Sequence, residues 1–150
     1  MTPGIDTRQA SAAHLDLLVP LFDAYRQFYR QASDQDGARR FLRARLERHE
    51  SVIFLAFRQA AAIGFTQLYP AFSSGAMARI YILNDLFVAP EARGLGVASA
   101  LLRAAADFGR AEGAVRLTLS TELTNTGAQA LYENTGWKRD SVFCTYQLTL

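Results

Sequence analysis

A chain of 150 residues, half of them hydrophobic and a fifth charged, matches one soluble globular domain whose core needs no metal or disulfide staple. One cysteine, Cys144, excludes an internal disulfide and suits a reducing compartment. The net charge of +2 is too small to imply nucleic-acid binding, and no uncharged run approaches the ~20 residues of a membrane span. Residues 1–6 carry neither a basic nor an apolar leader segment, so the expected location is the cytoplasm.

The predicted elements begin with a short strand at residues 7–10. Ser11 is a helix N-cap, and Leu15, Leu18, Phe22 and Tyr25 mark a buried helical stripe running to about residue 29. The polar stretch 31–37 reads as a loop. A second helix, at about residues 38–50, is expected to bury Phe41, Leu42 and Leu46. It also collects Arg39, Arg40, Arg43, Arg45 and Arg48, which read as a solvated face. Fifteen of the 16 basic residues are arginine, Lys138 being the exception.

Strands are predicted at 52–58 and 62–69, then a loop at 72–75 and a long central strand at 78–88. The helix at 98–112 ends at Gly113 in the manner of a C-cap. Val115, Leu117 and Leu119 alternate with polar residues, which predicts a half-covered strand over 115–121. A short helix at 126–135 stops at Gly136, and strands at 137–139 and 142–148 complete the chain, with Cys144 expected in the core. The order predicts an α/β fold with a mixed central sheet of about seven strands and helices on both faces. His14 and His49 stand alone on helices without metal-ligand spacing and read as surface residues, so no metal site is expected.

The segment joining the central strand to the following helix carries the chemistry. Gly94 and Gly96 lead directly into an Ala/Leu-rich helix start, where free N–H groups and the helix dipole favour an anion. A plain strand-to-helix turn has the same composition, and on this loop alone both readings stand. A Walker loop requires a lysine followed by Ser or Thr, which is absent here. A dinucleotide fingerprint requires Gly or Ala where Ser99 stands; Glu122 lies near the distance of a ribose-binding acid, but too few elements follow it. A coenzyme A pyrophosphate loop is the third option.

Arg93-Gly94-Leu95-Gly96-Val97-Ala98 resembles the Arg/Gln-x-x-Gly-x-Gly/Ala signature of the GNAT (GCN5-related) N-acetyltransferases. The block Asn125-Thr126-Gly127-Ala128-Gln129-Ala130-Leu131-Tyr132-Glu133-Asn134-Thr135-Gly136-Trp137 is similar to the second block of that family. The likeness extends over the whole chain as one catalytic domain. It implies the GNAT fold: a mostly antiparallel sheet whose two central strands splay apart, with acetyl-CoA as cosubstrate in the gap. The backbone of Leu86, Phe87 and Val88 would bond the pantetheine. The N–H groups of residues 94–99, through Ser99, would hold the pyrophosphate.

By the same resemblance Tyr132 is the general acid for the leaving thiolate, since an ordinary phenol stays protonated at neutral pH. Asn125 is a coenzyme or substrate contact, and its position also suits a helix N-cap. Family members often carry a glutamate on the central strand, yet Ile82 and Asn84 occupy the matching positions. Asn84 is therefore read as a water holder, with deprotonation through ordered water. Regular alternation points Asp85 to the opposite face, so Asp85 enters the catalytic set only if a bulge re-aims it.

Tyr25, Phe28, Tyr29, Gln67, Tyr69 and Glu122 are candidates for the acceptor pocket, with Asp23 and Glu122 as acids that would attract an ammonium. Core packing is an equal reading for Tyr25 and Phe28. The expected reaction is direct acetyl transfer to a primary amine of a small polyamine- or diamine-like acceptor, in a homodimer, without nucleic-acid or membrane partners. A protein lysine or N-terminal acetyltransferase is one alternative. A non-catalytic acyl-CoA sensor, favoured by the missing strand glutamate, is the other.

Overall fold

The computed structural model describes residues 4–150. It has five strands and four α-helices: β1 (Ile5–Gln9), α1 (Leu15–Phe28), α2 (Gln35–Glu47), β2 (Val52–Arg58), β3 (Ala61–Ser73), β4 (Ala78–Val88), α3 (Val97–Ala111), β5 (Leu117–Thr118) and α4 (Thr126–Asn134). Residues up to Leu119 form one unit and Ser120–Leu150 a second.

In the first unit the sheet order is β1-β2-β3-β4-β5. The first three pairings are antiparallel and β4–β5 is parallel, which gives the expected mixed sheet with fewer strands. Strand alternation, with one extra β3 residue at Ile63 opposite Ala56 and Phe57, divides the apolar residues between two faces. Ile53, Leu55, Phe57, Phe65 and Phe87 pack with Leu15, Leu18, Val19 and Phe22 of α1 and with Ala38 and Leu42 of α2. On the other face Ala56 and Ile63 meet Val97 and Leu101 of α3, with Leu86 and Val88 at the margin. Gly64 permits that approach: a Cβ there would lie 2.9 Å from the Phe87 carbonyl oxygen and 3.2 Å from Val97.

Local sequence accounts for the element boundaries. Ser11 caps as expected, its hydroxyl accepting from Ala13 N–H while its own N–H donates to His14 Nδ1 at 3.0 Å. His14 is thus part of a cap. The second helix begins three residues earlier than expected because Asp34 is its N-cap, accepting from Gly37 N–H at 2.9 Å. Phe41 is exposed rather than buried; it stacks on Phe22 at 5.9 Å and carries the Arg45 guanidinium on its ring.

The expected strand at 115–121 shortens to two residues, paired with Tyr81 and Ile82. Leu117 is seated against Gly109, whose missing Cβ leaves room for it. No strand of the described residues pairs with residues 83–88 on that side of β4.

In the second unit Asn125 caps α4, its side chain accepting from Ala128 N–H at 3.1 Å. The two expected C-terminal strands are not formed: residues 137–150 hold no ladder, and Asp140 turns the chain by accepting from Val142 and Phe143 N–H. Cys144 is accordingly exposed, not a core residue. Period-two patterning specifies which side of a strand is apolar, but a ladder also needs a partner edge.

Candidate active site

A β-bulge organises the middle of β4. Gln67 pairs with Asp85 and Leu68 with Leu83, so Asn84 is an extra residue between them. The bulge reverses the facing of odd-numbered residues along β4. Tyr81 meets Phe108 of α3, whereas Phe87 meets Tyr25 and Phe65 on the α1 side. Asp85 pairs with Gln67 and Ile82 with Tyr69, and residues 67 and 69 share one side of β3. Asp85 therefore lies on the same face as Ile82. Uninterrupted alternation would put the Asn84 and Asp85 side chains on opposite faces; instead Asn84 Nδ2 donates to Asp85 Oδ1 at 3.0 Å.

Polar groups from three elements converge on this point. Gln67 Nε2 donates to Asp85 Oδ2, and Thr66 Oγ1 donates to the Asp85 carbonyl at 2.8 Å. The Tyr25 hydroxyl of α1 donates to the Asn84 carbonyl oxygen at 3.3 Å. Asp85 is buried, and burial raises its pKa against the opposing hydrogen bonds from Gln67, Tyr25 and Asn84. Burial and the neighbouring Asp85 push Tyr69 up to about 12 and move Tyr25 upward as well. Gln67 Oε1 is buried without a hydrogen-bond partner.

The glycine loop lies at the end of the same strand. Gly94 and Gly96 have φ of +79° and +84°, the left-handed region that side chains disfavour. A Cβ at Gly94 would meet nothing within 4 Å, so backbone conformation, not crowding, requires glycine there. Gly96 is the N-cap of the 15-residue α3 and supplies no side-chain acceptor. Leu95 is exposed and Val97 is buried under the sheet. Arg93 Nε donates to the Val88 carbonyl at 3.1 Å, and its guanidinium lies over the Phe28 and Phe87 rings.

Among the acceptor candidates, Tyr25, Gln67 and Tyr69 gather around Asp85 with Asn84. Tyr29 is edge-on to both Tyr25 and Phe28, while Phe28 reaches the glycine loop through Arg93. Asp23 is buried and committed to structure: its carboxylate accepts from Ser33 Oγ at 2.6 Å, Asp34 N–H at 2.8 Å and Gln27 Nε2 at 3.1 Å. In the second unit Glu122 is exposed and its carbonyl accepts from Gln129. Tyr132 is half-buried on α4, 6.1 Å from the Trp137 ring. Thr66 and the Arg93–Phe28 contact are not among the residues singled out from sequence. Two adjacent polar residues, Thr66 and Gln67, inside an apolar strand were the available signal for the first.

A left-handed glycine pair opening a long helix, beside a central strand with a free edge among the described residues, is an arrangement of an α/β protein that suits an anion and an extended amide chain. Its sequence matches a model of the acetyltransferase (GNAT) family over residues 18–137. The chain is 53% identical to the N-acetyltransferase YhfO of Bacillus subtilis (strain 168) over 146 residues, 97% of this chain and 98% of that protein. The crystal structure of a probable acetyltransferase superposes with a TM-score of 0.92 at 46% identity, covering 97% of each chain. At 22% identity, aminoglycoside N-acetyltransferase AAC(6')-Iy in complex with CoA shares the fold, with a TM-score of 0.81 over 97% of this chain and 95% of that one. The chain belongs to the GNAT family of acetyltransferases and is an N-acetyltransferase.

Proposed function

We propose that this enzyme transfers the acetyl group of acetyl-CoA directly to a primary amine of a small polyamine- or diamine-like acceptor. The observation that carries the reading is the union of the left-handed glycine loop with the unpaired edge of β4 at residues 83–88. The N–H groups of Gly94, Leu95, Gly96, Val97, Ala98 and Ser99 hold the pyrophosphate, where the helix start favours negative charge. The free edge at Leu86, Phe87 and Val88 takes the pantetheine amides as a further strand would. The complex of a protein of the same fold with CoA supports the use of this coenzyme.

Tyr25, Phe28, Tyr29, Gln67, Tyr69 and Glu122 receive the acceptor, whose cationic amine suits aromatic rings and a nearby acid. Tyr132 protonates the departing thiolate and Asn125 contacts the coenzyme; the match of the family model across both units supports one catalytic domain over 1–150. Val142, Phe143, Tyr146 and Leu148 are all at least 79% exposed, which supports a homodimer that covers them. Acetyl-CoA use and the exposed Cys144 thiol suit the cytoplasm.

The test is thiol release from acetyl-CoA across a panel of amines, comparing wild type with Tyr132→Phe. Amine-dependent turnover falling roughly ten- to a thousandfold in the variant is the expected outcome. Unchanged turnover removes Tyr132 from its role. Coenzyme binding without turnover on any amine or protein overturns the enzymatic assignment to a small acceptor.

A further inference from the structure

We propose that Phe28 is a positioning residue for the coenzyme: its ring holds the Arg93 guanidinium across the end of β4, where that side chain closes part of the free edge. The inference rests on the acetyl-CoA reading above. Phe28 is the last residue of α1 and is 57% exposed, so it adds little to the core. Its ring meets Tyr29 edge-on at 5.3 Å and carries the Arg93 guanidinium 5.8 Å from its centre. Tyr29 is in turn edge-on to Tyr25 at 5.0 Å, and the Tyr25 hydroxyl bonds the Asn84 carbonyl. A row of rings therefore runs from the β4 bulge to the glycine loop. On its other side the guanidinium lies 5.7 Å from the centre of the Phe87 ring, and Nε donates to the Val88 carbonyl at 3.1 Å. Among the described residues it has no carboxylate partner.

Antiparallel pairing directs the backbone groups of alternate residues to opposite neighbours. The Ala89 N–H donates to the Ile63 carbonyl at 2.8 Å, so Phe87 and Ala89 face β3, whereas Leu86 and Val88 face the open side. The Arg93 bond agrees, since it reaches the Val88 carbonyl from that side. Three groups of residues 86–88 are then left for an extended amide chain: the N–H and carbonyl of Leu86 and the N–H of Val88. An amide N–H of the coenzyme finds one open carbonyl there, that of Leu86. Arg93 thus sets how the chain lies along β4 and keeps a positive charge one residue before Gly94. Without the Phe28 ring, one hydrogen bond and one aromatic face hold this long exposed side chain.

The experiment is calorimetric titration of the full chain with CoA and no acceptor present, so that a role of Phe28 toward the acceptor alone does not register. Phe28→Leu should weaken CoA binding about two- to fivefold, the scale of an exposed cation–π contact. Phe28→Tyr, which keeps the ring face, should retain wild-type affinity. In an Arg93→Gln background, which removes the charge and keeps a donor, Phe28→Leu should change nothing further. Equal affinity of wild type and Phe28→Leu, an equal loss with Phe28→Tyr, or the same loss in both backgrounds would each overturn the proposal. Absence of CoA binding by the wild-type chain would instead remove the parent reading.

Discussion

Asp23 and Asp85 are both buried carboxylates, 2% and 3% exposed, and they behave oppositely. Asp23 sits in α1 and accepts from Ser33, the Asp34 N–H and Gln27, with Arg26 nearby; these hold its pKa below the ordinary carboxylate range against its burial, the Ser33 bond contributing most. Asp85 sits on β4 among neutral amides and phenols, and burial wins, moving its pKa up. Burial alone therefore does not assign a role to an acid. The donors do: a backbone N–H and a hydroxyl directed at the charged form make a structural staple, whereas neutral amide and phenol neighbours leave a desolvated carboxyl with a raised pKa.

The comparison breaks most readily at Asp23. Asp23→Ala leaves the Asp34 N–H and the Ser33 hydroxyl without their acceptor, and we expect about 3 kcal/mol of lost stability by urea unfolding. Ser33→Ala, which removes one donor, should cost about 1 kcal/mol. Asp85→Asn should cost less than about 1 kcal/mol at pH 7, because the fold already disfavours the charge there. A larger loss at 85 than at 23 would reverse this ranking of the two carboxylates.

The pH dependence sharpens the same contrast. The lowered pKa of Asp23 means that its stabilisation is present above the ordinary carboxylate value and is lost as pH falls through its folded value. The raised pKa of Asp85 gives the opposite sign: its contribution is fully present below the ordinary value and is lost as pH rises through its folded value. Melting temperatures measured from pH 3 to 8 should therefore show that Asp23→Asn removes part of the acid-side loss. Asp85→Asn should remove a decline on the rising side.

Much of this was legible from the chain. The bounds of β4 agree with the apolar run at 78–88, and α3 begins within one residue of expectation, because a glycine pair before an Ala/Leu helix has few other solutions. The α1 stripe at Leu15, Leu18 and Phe22 is buried as its spacing implies. The bulge was not legible: a one-residue slip is a property of two paired strands, and neither β3 nor β4 alone encodes where it falls. Alternation alone aims Asp85 away from Ile82, and the bulge that the sequence reading allowed for is what brings the two onto one face. The Asp34 cap was hidden inside a polar stretch that also reads as a turn. The C-terminal pattern of Val142, Tyr146 and Leu148 correctly marks apolar positions, but names no edge for them to pair with.

The extra residue in β4 has a further consequence for how this segment tolerates change. Every pair from Ala78↔Ser73 to Leu83↔Leu68, and from Asp85↔Gln67 to Val88↔Gly64, is in step on its own side of Asn84. Excising Asn84 would close the ladder into a regular one without turning any other side chain over. It is thus a point where the chain can shorten by one residue and keep its core, at the expense of the exposed carbonyl that Tyr25 bonds. A deletion at either flanking position would instead draw Asn84 into the vacated pair, opposite Leu68 or Gln67, so the strand is spaced around a removable link.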